Sequence, residues 1–232
     1  MRTYLLSAIL LLELLSPAIA QRRDYLVTIK TPYGPVQAVL FDQTPKHKAN
    51  FVKLVKAHFY DGVLFHRVIP QFMIQGGDPK SKGAEAGAPL GSGDVGYKVP
   101  AEFHTGLFHR RGALAAARDN NPEKASSGCQ FYIVQGKVYT DSTLAPQLKR
   151  AGRMPTDEQK NVYKTEGGTP WLDGNYTVFG QVISGLAAVD SIAVRPRNAA
   201  NRPLSDVAMT MTVRKISKKK IRRRYGYVFP AF

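Results

Sequence analysis

Between Phe65 and Asp78 the chain reads Phe-His-Arg-Val-Ile-Pro-Gln-Phe-Met-Ile-Gln-Gly-Gly-Asp, and in a run this apolar Arg67 and Gln75 need a reason. A polar group on a buried β-surface is costly unless it is paired or kept free for a ligand. We read both as kept free; the bland alternative makes Arg67 a salt-bridge partner of Asp78 or Glu102. In extended backbone Phe65, Arg67 and Ile69 share one face, and the turn at Pro70 resets the alternation before Phe72 to Gln75. A cation and an amide then stand beside Phe72 and Met73 in an apolar groove.

Two later stretches mix signals in the same way. Ser127-Gly128-Cys129-Gln130-Phe131-Tyr132-Ile133 is an apolar strand carrying an amide, and Trp171-Leu172-Asp173-Gly174-Asn175-Tyr176-Thr177-Val178-Phe179-Gly180 is an aromatic turn feeding a strand. In this order the three stretches resemble the motifs of the cyclophilins, peptidyl-prolyl cis/trans isomerases, and the resemblance runs from about Tyr25 to Val213. It implies a mostly β fold: a closed eight-stranded antiparallel β-barrel capped by two core α-helices, with a short helical insertion near residues 145–168. The spacing of elements alone also allows a sandwich.

Carried over position by position, the resemblance makes Arg67 the catalytic residue, with Gln75 orienting it or touching substrate. Phe72, Met73, Tyr132 and Leu172 form the pocket for a prolyl ring, and His66, Ala117, Arg118, Gln130, Trp171 and Tyr176 line the groove. The chemistry asks for no more. Rotating an X-Pro bond meets a barrier of roughly 18–20 kcal/mol, set by amide resonance. A site need only hold the ring, bind the twisted amide better than the planar one and aim donors at it, so no cofactor is expected. An always-charged, forked guanidinium suits that task.

Three positions depart from the pattern commonest in animal relatives: Tyr132 replaces a phenylalanine, Arg118 an asparagine and Tyr176 a histidine. The added hydroxyl of Tyr132 needs a partner. By resemblance Trp171 implies sensitivity to the cyclic peptide cyclosporin, which Arg118 opposes; its bland reading is a buried hairpin anchor. A second functional class stays open, a proline-peptide binding module or chaperone with little turnover.

Arg2, the apolar run Leu5 to Leu15 broken by Ser7 and Glu13, and Ser16-Pro17-Ala18-Ile19-Ala20 read as a secretory signal peptide over residues 1–20. The run is too short for a good membrane span; an uncleaved anchor is the alternative. The leader, with an insertion that looks like that of bacterial envelope relatives, points to export, to the periplasm first and otherwise to secretion or the endoplasmic-reticulum lumen. The expected partners are proline-containing peptides and unfolded exported proteins, met by a monomer whose isomerase domain spans 21–213. A single cysteine, Cys129, excludes an intrachain disulfide and reads as a small buried side chain.

The formal charge of +16 is uneven. No acidic residue follows Asp206, while Arg214, Lys215, Lys218, Lys219, Lys220, Arg222, Arg223 and Arg224 are all basic. The tail 214–232, with Tyr225, Tyr227, Phe229 and Phe232, reads either as a solvated end or as a contact for an anionic membrane surface, a nucleic acid or an acidic partner.

Residues 25–30 and 36–41 flank a Pro/Gly turn and predict a β-hairpin. Thr44 and Pro45 open a helix with Phe51, Leu54, Val55 and His58 at helical spacing, one face buried against the sheet and His58 read as a satisfied or semi-exposed histidine. Gly91-Ser92-Gly93-Asp94-Val95-Gly96 matches a dinucleotide fingerprint literally, but Tyr97-Lys98-Val99-Pro100 cannot open a helix, so Gly83 to Gly96 reads as a surface loop. Residues 144–151 and 156–165 predict short helices, the second with a capping box Thr156/Gln159. Strands are expected at 129–135, 178–183 and 207–213, and a helix at 186–193. His47, His104 and His109 lack the spacing of a closed metal site.

Overall fold

The computed structural model describes residues 23–230, so the leader lies outside the described residues. In chain order the strands are β1 (Arg23–Thr31), β2 (Gly34–Leu40), β3 (Arg67–Ile69), β4 (Met73–Gly76), β5 (Lys98–Val99), β6 (Ala113–Ala116), β7 (Ser126–Ser127), β8 (Phe131–Val134), β9 (Val178–Ser184) and β10 (Thr210–Ser217). Eight of them form one antiparallel sheet in the order β10-β1-β2-β9-β6-β8-β4-β3, and β5 pairs separately with β7. Helices α1 (Pro45–Lys56) and α4 (Leu186–Ala193) are the two expected core helices; α2 (Asp141–Leu148), α3 (Asp157–Thr165) and α5 (Lys218–Tyr225) lie outside that core.

Alternation along the strands builds the interior. Val27 and Ile29 of β1 and Val36, Ala38 and Leu40 of β2 face one cluster, which Phe51, Val52, Leu54 and Val55 of α1 and Val189 and Ile192 of α4 complete. Phe51 is its hub, with ring centroids 5.2–5.6 Å from Tyr60, Phe131 and Phe179. Burying each such side chain contributes about 1.5–3 kcal/mol.

The expected barrel closure is not made by paired strands. β3 is three residues long and does not reach β10, so the irregular segments before each edge strand meet instead. There Gly62 N–H donates to Met209 O, Met209 N–H to Val63 O and Phe65 N–H to Val207 O, each at 2.9 Å.

Thr44 precedes α1 but makes no capping bond. Its hydroxyl turns back to Phe41 O, and Glu102, far along the chain, accepts from Lys46 N–H at 3.0 Å and His47 N–H at 2.9 Å. A carboxylate satisfies the orphan donors there and meets the positive end of the helix dipole. His58 lies just past α1 with φ 55° and pairs with Asp61 on the surface instead of extending the buried stripe.

The segment read as an insertion folds as two capped helices. Thr140 caps α2, which therefore begins three residues before the expected Leu144, and Thr156 with Gln159 forms the expected capping box on α3. Leu144, Leu148 and Tyr163 from these helices pack with Tyr139, Phe108 and Trp171 in a small core of their own.

The described part of the tail, residues 214–230, continues the fold. β10 runs through the boundary expected at residue 214 to Ser217, whose hydroxyl accepts from Lys220 N–H to start α5. Ile221, Tyr225, Tyr227 and Phe229 cover Leu26 of β1, Val39 of β2 and Ile216 of β10 on the outer face of the sheet. Of the aromatics expected to meet a membrane, Tyr225, Tyr227 and Phe229 are thus spent on the protein's own sheet, while Lys219, Lys220, Arg222, Arg223 and Arg224 stay exposed. Among the described residues no helix is long and apolar enough to cross a membrane.

Candidate active site

The β3–β4 hairpin sets Arg67 directly opposite Gln75. Its tight turn places Gln71 at φ 59°, and Phe72 N–H donates to Ile69 O at 3.1 Å, which throws the Phe72 ring back over the hairpin face. Arg67 and Ile69 share that face as expected. Phe65 does not: it precedes the regular strand and turns into the main core with Val68 and Ile74.

An amide relay fixes the cation. Gln130 Nε2 donates to Gly91 O at 2.9 Å and Gly93 O at 2.8 Å, which turns its Oε1 toward Gln75. Gln75 Nε2 donates to that oxygen at 3.1 Å, and Gln75 Oε1 is left to accept from Arg67 Nη1 at 3.2 Å. The glycine-rich loop therefore supplies a carbonyl shelf, not a phosphate cradle. Both acids that could have claimed Arg67 are engaged elsewhere: Asp78 accepts from Lys80 and Gly91 N–H groups, and Glu102 caps α1. The half-buried guanidinium lies 6.0 Å from the Phe72 ring centroid, and burial lowers its pKa from a very high value, so it stays charged.

Beside Arg67 is a hollow of about 100 Å³. Phe72, Met73, Tyr132 and Leu172 supply its apolar walls, and Gln75, Ala117, Arg118 and Tyr176 complete the lining with Arg67. Arg118 is braced by Nε donation to Asn175 O at 2.8 Å and lies over the Tyr176 ring at 4.8 Å. Tyr176 meets Tyr132 edge-on at 6.0 Å.

Three expected groove residues do not line this first hollow. Gln130 acts behind Gln75 in the relay and lines the second hollow described below. Trp171, in the 3-10 turn Pro170–Leu172, backs Phe72 at 5.5 Å and joins the insertion's core. His66 is buried beneath Gly91, both ring nitrogens without a partner among the described residues, and burial pulls its pKa down to about 4. Cys129 is buried too, and burial pushes its thiol up to about 11.

Two features have no counterpart in the sequence reading. A second hollow, of about 240 Å³, shares Gln75, Ala117 and Arg118 with the first and continues past Asp94, Lys98 and Asp119. Behind the first hollow, Tyr132 Oη lies 2.9 Å from His109 Nε2, and His109 Nδ1 lies 2.8 Å from Asp173 Oδ1. The unpartnered hydroxyl of Tyr132 was the signal that such a group had to exist.

A guanidinium aimed by a neutral amide at a small hollow with four apolar walls makes a site that can hold a small cyclic group and present donors to it. The chain belongs to the cyclophilin-type peptidyl-prolyl cis-trans isomerases: the family described as cyclophilin type peptidyl-prolyl cis-trans isomerase/CLD matches residues 26–214. It is accordingly a peptidyl-prolyl cis-trans isomerase. A protein of Staphylococcus haemolyticus named as a peptidyl-prolyl cis-trans isomerase is 39% identical over 190 residues, 82% of this chain and 90% of that protein. A protein of Streptococcus pyogenes named as a bifunctional phosphatase/peptidyl-prolyl cis-trans isomerase is 41% identical over 184 residues, 78% of this chain but 37% of that longer protein. Among solved structures, the Cryptosporidium parvum cyclophilin-type isomerase has a TM-score of 0.60 at 24% identity, covering 83% of this chain and 98% of that one, and shows the shared fold. The same enzyme in the presence of the dipeptide Ala-Pro gives a TM-score of 0.58 at 25% identity, over 82% and 98%.

Proposed function

We propose that this isomerase assists the folding of exported proteins, holding a prolyl ring in the hollow between Phe72, Met73, Tyr132 and Leu172 while Arg67 stabilises the half-rotated imide. The observation that carries this reading is the orientation of Arg67: tied to a neutral amide, it keeps a full charge and spare donors for the groove. As the amide twists, its nitrogen loses conjugation and gains a lone pair that a guanidinium N–H can meet. The planar ground state offers no such acceptor, so the contact favours the transition state selectively. The half-buried setting strengthens it relative to water.

Gln75 and Gln130 act by keeping the fork in place before substrate arrives. The Ala-Pro dipeptide present with the Cryptosporidium parvum enzyme supports proline-containing peptides as the ligand class. The leader supports export, and the bonds joining residues 62–65 to 207–209 support the finer reading of the sheet as a barrel.

The test is refolding of a secreted protein whose slow phase is limited by proline isomerisation, which takes tens of seconds uncatalysed. Catalytic amounts of wild type should abolish the slow phase and Arg67→Ala should leave it; a slow phase indifferent to wild type would end this reading.

A further inference from the structure

The hydroxyl of Tyr132 is a polar atom in the apolar wall of the ring-sized hollow, and it is held from behind. Tyr132 and His109 stack with ring centroids 6.0 Å apart and an interplanar angle of 10°, both buried. Asp173 Oδ1 accepts from the backbone N–H of His109 at 2.9 Å, a group that can only donate, and from His109 Nδ1 at 2.8 Å. Its other oxygen accepts from Tyr163 Oη at 2.6 Å, and Arg153 stands 3.9 Å away. A carboxylate so placed fixes the imidazole proton on Nδ1 and leaves Nε2 as an acceptor. With a neutral ring Tyr132 Oη donates to Nε2 at 2.9 Å, its hydrogen pointing away from the groove.

We propose that His109 is a positioning residue of the isomerase: oriented by Asp173, it draws the Tyr132 hydroxyl out of the proline pocket, so that substrate meets the ring face alone. Tyr163 belongs to α3, so the helical insertion is part of this support and reaches the pocket through Asp173. The inference rests on the hollow being the proline site. Without His109 the hydroxyl, buried and lacking an acceptor, turns toward the hollow or draws water into it. Either change weakens ring binding and leaves the Arg67–Gln75–Gln130 relay untouched.

The experiment is a double-mutant cycle on the full chain, His109→Leu with and without Tyr132→Phe, reading kcat and KM separately for an Ala-Pro peptide alongside thermal melts. His109→Leu should raise KM roughly tenfold, the factor for losing one buried hydrogen-bond partner, with kcat changed less than about twofold. In the Tyr132→Phe background the same substitution should change KM less than about twofold, because no hydroxyl remains to be misplaced. Should His109→Leu fail to fold, Asp173→Asn cuts the same chain one bond further out and should raise KM in the same Tyr132-dependent way. A KM unmoved by His109→Leu, or raised equally with and without the Tyr132 hydroxyl, overturns the proposal and leaves His109 a structural brace. Arg67→Ala run in parallel separates the two readings: full activity there would sink the proline-site reading itself, whatever His109 does.

Discussion

Arg67 and Gln75 face each other across the β3–β4 hairpin, Nη1 to Oε1 at 3.2 Å, and Gln75 is itself turned by Gln130. Among the described residues the cation is thus held by dipoles, with no acid to share its charge. Gln75→Leu should lower kcat/KM roughly tenfold to a hundredfold, the loss expected for one bond to a charged group, with most of the fall in kcat. Steady-state kinetics on an Ala-Pro peptide measure this; a rise in KM alone would mean that Gln75 binds substrate instead of orienting Arg67.

His66 gives the protein an acid-sensitive limb. Its folded pKa of about 4 lies below the usual histidine value near 6.5, so between those values the unfolded chain binds a proton that the folded chain refuses. Stability should be full above about pH 6.5 and fall by about 3 kcal/mol in all as pH drops toward 4. Burial also lowers His47, although Glu102 pulls the other way, which adds to the same limb. Melts of His66→Phe across this range should show a flatter acid limb; an unchanged slope would remove His66 as its source.

Glu102 caps α1 from outside. Glu102→Ala strands the N–H groups of Lys46 and His47 and should cost about 1–2 kcal/mol, the range for lost helix caps. Urea denaturation reads this directly, and a loss below about 0.3 kcal/mol would show the carboxylate to be dispensable.

The tail belongs to the fold. Ile221 is fully buried against Leu26 and Val39, so Ile221→Ala should cost about 2–5 kcal/mol, as for other large core truncations. A surface-like effect within about 0.5 kcal/mol would contradict docking of α5 on the sheet.

Much of this was legible in the residues. The two core helices and the hairpin after Tyr25 followed from period and turn chemistry, and the three apolar motifs assembled the hollow once read by resemblance. What escaped depends on contacts distant in sequence. Glu102 caps a helix some fifty-five residues away, a partner no local pattern names. His109 looked like a failed metal ligand because its true partners, Tyr132 and Asp173, lie 23 and 64 residues further on. The tail read as a solvated end or a contact for an anionic surface because its cations dominate composition, while Ile221, Tyr225, Tyr227 and Phe229 decide where it packs. His66 sits beside Arg67 in sequence, yet irregular backbone before β3 turns it inward beneath the glycine-rich loop.

The central claim is that a free guanidinium at position 67 drives rotation of the imide. Exchange spectroscopy on an Ala-Pro peptide, which reads cis/trans interconversion with no coupling protease, tests it on wild type and Arg67→Ala at matched folded concentration. Loss of that preorganised donor should slow catalysed exchange by about 10²–10³-fold while the variant melts like wild type. Equal exchange rates for the two proteins would contradict the account.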